Sequence, residues 1–91
     1  MDKNEIMSLV QSLTENKPDI YSIINNMVDE IGDEEKSVSD VFTRILNFID
    51  DRKYTAKNKI TKKQQEEIFL IALEIIISEA QKEPEAPESF M

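Results

Sequence analysis

The stretch Ile68-Phe69-Leu70-Ile71-Ala72-Leu73-Glu74-Ile75-Ile76-Ile77 decides how this chain folds. Ten residues with a single charge are too few to cross a bilayer. As a helix they rise about 15 Å, half of a ~30 Å hydrocarbon core. The run must therefore be buried by the rest of the protein. A helix that is apolar on every side calls for cover on several sides. Thr61 precedes it, with Gln64 three residues on, and this capping-box pattern starts the helix near Lys62. The pattern carries on to Lys82, giving about 22 residues or ~33 Å, the longest helix of the chain.

Working outward, three shorter amphipathic segments offer that cover. Ile6, Leu9, Val10 and Leu13 recur at helical spacing over residues 3–15. Ile20, Ile23, Ile24, Met27, Val28 and Ile31 form a second stripe. Pro18 is suited to its first position, and Gly32 stops it in a left-handed cap. Ser37, with Asp40 three residues on, opens a third helix, whose stripe is Val38, Val41, Phe42, Ile45, Leu46 and Ile49, ending near Lys53. Met7 and Met27 fall on these stripes as core residues. Residues 33–36 read as a solvated loop, and 54–60 as a linker without apolar period. The fold expected is all-α: an antiparallel four-helix bundle over residues 1–82, with Ile24, Leu46, Ile68 and Leu73 in a shared core. Residues 83–91 hold Pro84, Pro87 and three glutamates and read as a mobile acidic tail ending in Phe90 and Met91.

Composition removes most chemistry. The 91 residues include no Cys and no His, so disulfides, thiolate zinc sites, cysteine nucleophiles and imidazole bases are excluded. A single Gly leaves no glycine-rich phosphate loop. The acids around Gly32 lack the ligand spacing of a calcium loop. Glu74 reads as a residue on the wet stripe of its helix, beside Glu66 and Glu67. The expectation is a protein that is not an enzyme and carries no cofactor or metal.

Charge is uneven. Arg52, Lys53, Lys57, Lys59, Lys62 and Lys63 fall within residues 52–63, which contain no acid, while the remainder carries five basic and 19 acidic groups. That net of −14 opposes nucleic-acid binding. The basic segment has two readings: a solvated loop whose lysines balance nearby acids, or a docking point for anionic headgroups or an acidic partner, each cation near such a surface being worth about 1 kcal/mol. The candidate partner-binding residues are Lys53, Lys57, Lys59, Lys62, Lys63 and, at the tail, Phe90. The N-terminal residues show no basic-then-apolar signal pattern, and a cytoplasmic protein is expected.

Two blocks carry a resemblance. Phe42-Thr43-Arg44-Ile45-Leu46-Asn47-Phe48-Ile49 has an Arg-apolar-apolar-Asn-aromatic order. Asn58-Lys59-Ile60-Thr61 leads into the Gln- and Glu-rich helix start Lys62-Lys63-Gln64-Gln65-Glu66-Glu67-Ile68. Together, over about residues 38–70, they resemble the immunity proteins of class IIa (pediocin-like) bacteriocins of lactic acid bacteria and their relatives. The resemblance implies a four-helix bundle with a less ordered C-terminus. It also implies protection of the host from a pore-forming bacteriocin. The partner so implied is the membrane permease of the mannose phosphotransferase system with bacteriocin bound, met from the cytosolic side. A monomer is expected, and the basic segment is the feature expected to give it a weak association with the membrane surface. Specificity is implied to reside in the C-terminal half. From the residues alone, Arg44 and Asn47 lie one turn apart off the apolar stripe, and Asn47 is placed to hold the following loop. The alternative function is that of a small acidic helical inhibitor, of phage or plasmid type, that sequesters another intracellular protein.

Overall fold

A computed structural model describes residues 3–32 and 37–82. The solvated-loop reading of 33–36 and the tail of 83–91, Phe90 included, lie outside them. Among the described residues the chain is all-helical, with five helices: α1 Lys3–Leu13, α2 Pro18–Ile31, α3 Val38–Asp50, α4 Arg52–Lys57 and α5 Lys62–Gln81. No helix among them is long and apolar enough to cross a membrane.

The termini follow local chemistry. Pro18 takes the first position of α2 after Lys17, whose φ of −137° and ψ of 70° are non-helical, as a residue preceding proline requires. Ser37 caps α3 by accepting a hydrogen bond from the Asp40 amide. Thr61 and Gln64 close a reciprocal capping box at the start of α5. Gly32 ends α2 with φ of 63° but ψ of −137°, so it is not the left-handed helical cap expected. The positive φ nevertheless explains why glycine stands there.

The core gathers one stripe from each long helix: Ile6, Met7 and Val10; Ile20, Ile24, Met27, Val28 and Ile31; Val38, Val41, Phe42 and Ile45; and Ile68, Ile71, Ala72 and Ile75. Phe42, Ile24 and Ile68 are fully enclosed. α5 packs chiefly against α3 and touches α1 and α2 less. Buried Thr14 and Thr55 satisfy their hydroxyls by donating to Val10 O and Arg52 O, three or four residues back.

Four further expectations need correction. Residues 54–60 are not a plain linker, because α4 occupies Arg52–Lys57. Asp51 breaks α3 and caps α4, its carboxylate accepting from the Lys53 and Tyr54 amides, so α3 ends at Asp50 rather than at Lys53. α5 is not covered on several sides: Phe69, Leu70 and Ile77 are 44%, 63% and 52% exposed. Leu73 is only half-buried and stands outside the core. α5 uses one face for the core, and its opposite face is apolar and open.

Candidate partner-binding surface

α4 shapes the basic segment. Its C-terminus closes in a Schellman arrangement, with the Lys59 amide donating to Ala56 O at 3.2 Å and the Ile60 amide to Thr55 O at 2.9 Å. Lys59 takes φ of 55°, and no other described non-glycine residue has a positive φ. Ile60 turns inward and is buried. Asn58 fixes the turn by donating from its side-chain amide to Tyr54 O at 2.9 Å. The loop-holding role expected of Asn47 thus belongs to Asp51 and Asn58, and Asn47 is exposed.

All six basic residues of this segment, Arg52, Lys53, Lys57, Lys59, Lys62 and Lys63, are exposed. Ion pairs lie elsewhere, among them Lys3 with Asp29, Lys17 with Glu67, and Lys82 with Glu79. The reading in which these cations balance neighbouring acids finds no ion pair among the described residues. Lys62 and Lys63 also stand in the first turn of α5, where no acid accompanies them. That is the end of a helix at which its dipole disfavours positive charge.

Beside this corner runs a groove of about 700 Å³ between α3 and α5. Leu46, Ile49, Phe69 and Leu70 give it an apolar floor. Asn47, Asp50, Lys62, Gln65 and Glu66 complete its lining. Leu46, expected in the shared core, sits at the core's edge and turns partly into this groove. Lys62 is thus the one residue of the six that joins the basic corner to the groove. Lys53, Lys57, Lys59 and Lys63 stay outside its lining. Among the described residues no group of three or more acids is placed to hold a metal.

Two polar contacts hold the surface in place. Tyr54 stacks on Phe48 with ring centroids 4.6 Å apart, and its hydroxyl donates to Glu30 at 3.2 Å. This ties α4 to α3 and α2. Burial, with the Glu30 carboxylate beside it, pushes the Tyr54 phenol up to about 12. Gln64 serves two ends at once. Its carbonyl accepts from the Thr61 amide and its NH₂ donates to Asp19 at 2.9 Å, joining the start of α5 to the start of α2. That hydrogen bond holds the Asp19 carboxyl below its ordinary value.

The exposed Phe69 and Leu70 were missed as surface residues because apolarity was read as burial. The signal was present: Leu70, Leu73 and Ile77 recur at spacings of three and four, on the side opposite Ile68, Ile71, Ala72 and Ile75. Comparisons of the chain with protein-family models, with characterised proteins and with solved structures return no match.

Proposed function

We propose that this is a binding protein without chemistry of its own, an immunity protein that counters a pore-forming class IIa bacteriocin. The four long helices, in this reading, form an antiparallel four-helix bundle, with α4 an added element in the crossing between the third and the last. The observation that carries the reading is the placement of the groove. It is bounded by the two blocks on which the family resemblance rests: Leu46, Asn47 and Ile49 on α3, and Lys62, Gln65, Glu66, Phe69 and Leu70 on α5. An open apolar floor with a polar rim suits the apolar face of an amphipathic helix. The adjoining unpaired cations suit the anionic inner surface of a membrane in which such a partner is embedded. The partner proposed is the mannose-system permease with bacteriocin bound, engaged from the cytosol. The expectation of a small helical inhibitor of another intracellular protein draws on the same groove but gives no role to the basic corner.

Expression in a bacteriocin-sensitive strain tests the reading. Survival on challenge with class IIa peptides is the expected result. Phe69→Glu, in the groove, abolishes it while leaving the helical circular dichroism signal in place. Replacing Lys57, Lys59, Lys62 and Lys63 together by Gln reduces protein recovered with anionic vesicles at low salt. That recovery falls further as the Debye length shrinks below about 10 Å. Failure to protect against any class IIa peptide would refute the immunity function, and protection undiminished by Phe69→Glu would remove the groove from it.

A further inference from the structure

Few side chains hold α4 in place. Its six residues, Arg52–Lys57, are too short to persist as a helix without tertiary support. They pack on α3 and on no other helix to a comparable extent. Tyr54 anchors them by stacking on Phe48 and donating to Glu30. Buried Thr55 and, just past the helix, buried Ile60 add to the hold.

Two features of the same segment work against that hold. Lys53 and Lys57 stand four residues apart, a like-charge pair on one face that destabilises a helix. Lys59 closes the turn at φ of 55°, where a residue with a Cβ is strained. Arg52, Lys53, Lys57 and Lys59 are all exposed, and none has an ion pair among the described residues. Two acids beside α4 are engaged otherwise. The Asp51 carboxylate accepts from the Lys53 and Tyr54 amides, and Glu30 accepts from the Tyr54 hydroxyl. A small anchor is thus set against charge repulsion and backbone strain within one short segment.

We propose that α4 is a surface-responsive element, loosely docked in the free protein and closed onto α3 when its cations lie against a layer of phosphate headgroups. Such a layer offsets the repulsion between Lys53 and Lys57 most where both face it together, as they do on the folded helix. It therefore favours the docked form over the open one, and a difference in affinity between two forms is what shifts their populations. The effect rests on the reading of the basic segment as a contact with an anionic membrane, and it gives that contact a consequence inside the protein. Ile49 and Asp50 line the groove, and Asp51 caps α4. Closure of α4 thus fixes the end of α3 that forms one wall of the groove.

Hydrogen–deuterium exchange of the full chain tests this. The Thr55, Asn58, Lys59 and Ile60 amides donate to Asp51 O, Tyr54 O, Ala56 O and Thr55 O, bonds made only while the segment is folded. Their protection is taken relative to a peptide of residues 51–61 in the same buffer, which carries the same charges without the docking. The expected protection lies below that of the α3 and α5 amides, through local opening. It rises about twofold when sodium chloride shortens the Debye length from about 30 Å to about 3 Å. Phosphatidylglycerol vesicles at low salt raise it further, and phosphatidylcholine vesicles leave it unchanged. Inorganic phosphate does no more than sodium chloride of equal ionic strength, which separates a headgroup layer from a free anion. Lys53→Gln with Lys57→Gln raises protection at low salt and removes the salt response, and the fold tolerates it because both side chains are exposed. Protection of α4 equal to that of α3 and α5, a fall with added salt, or a gain from inorganic phosphate equal to that from vesicles overturns the inference. Protein recovered with phosphatidylglycerol vesicles without a gain in protection also overturns it, and leaves the membrane contact standing. Absence of vesicle recovery refutes the contact and the closure together.

Discussion

Lys59→Gly should make the protein more stable by relieving a backbone held at positive φ by a residue with a Cβ. Lys59 occupies the position after the α4 cap with φ of 55°. A residue with a Cβ pays roughly 1–2 kcal/mol for that conformation, and glycine does not. Glycine returns part of this gain through its greater freedom in the unfolded chain, roughly 0.5–1 kcal/mol. The exposed lysine has no ion pair among the described residues whose loss would offset the rest. A net gain of about 0.5–1 kcal/mol follows, or a rise of roughly 2–8 °C in melting temperature for a domain of this size. Urea denaturation followed by circular dichroism measures it, with Lys59→Ala as control because alanine keeps the Cβ. The midpoint should rise for Gly, not for Ala, with the slope unchanged. Equal midpoints for the two variants would refute the reasoning, since the gain is attributed to backbone conformation and to nothing else. Vesicle recovery at low salt should fall in both, because both remove the same charge.

Further predictions concern the core, the cap and the phenol. Ile68→Ala should cost about 2–5 kcal/mol through the cavity it leaves, and Leu73→Ala only about 1 kcal/mol, because Leu73 is partly exposed and lies outside the core. Equal losses in denaturant titrations would contradict the one-faced packing of α5. Thr61→Ala should cost about 0.5–2 kcal/mol by opening the capping box, visible as a lower urea midpoint. Tyr54 has its folded value raised to about 12 against an ordinary 10, so the fold holds its proton more tightly than the unfolded chain. Its contribution is complete below pH 10 and is lost as pH rises toward 12. Melting temperature should fall across that window, and Tyr54→Phe should flatten the fall; a variant with the same alkaline profile would assign the loss to other groups.

Helix starts were legible because each has a local chemical cause. Pro18 fixes its own φ and restricts Lys17, while Ser37 and the Thr61–Gln64 pair act on amides within a turn of themselves, so neighbours in sequence suffice to find them. The stripes of α1, α2 and α3 were legible for a related reason, since each has one apolar face and one polar face. α4 was hidden because its six residues carry no apolar period, and only Asp51, as a cap, announced it. α5 misled because its two apolar faces cannot be told apart by composition. Which of them is buried depends on where α1, α2 and α3 sit. The site was half visible: the charge of residues 52–63 can be counted from sequence, whereas the groove beside them needs α3 and α5 in contact.

The places where this chain departs from good local design lie close together. Lys59 stands where glycine would cost less. Lys62 and Lys63 stand where a helix dipole favours acids. Phe69 and Leu70 stand in water, on a helix otherwise well anchored by Ile68, Ile71, Ala72 and Ile75. All five fall within twelve residues of sequence, at one end of α5. Elsewhere the same chain caps its helices, satisfies its buried threonine hydroxyls and encloses Phe42 completely. A sequence that keeps local rules in most places and breaks several in one place concentrates its departures where something other than stability is selected. Each departure here leaves an outward-facing group, either a cation without a counter-charge or an apolar side chain without cover. Substitutions that repair them, such as Lys59→Gly or Leu70→Gln, should therefore preserve or raise stability while lowering binding. Substitutions in the Ile24–Phe42–Ile68 core should lower binding only in proportion to the folded fraction they leave.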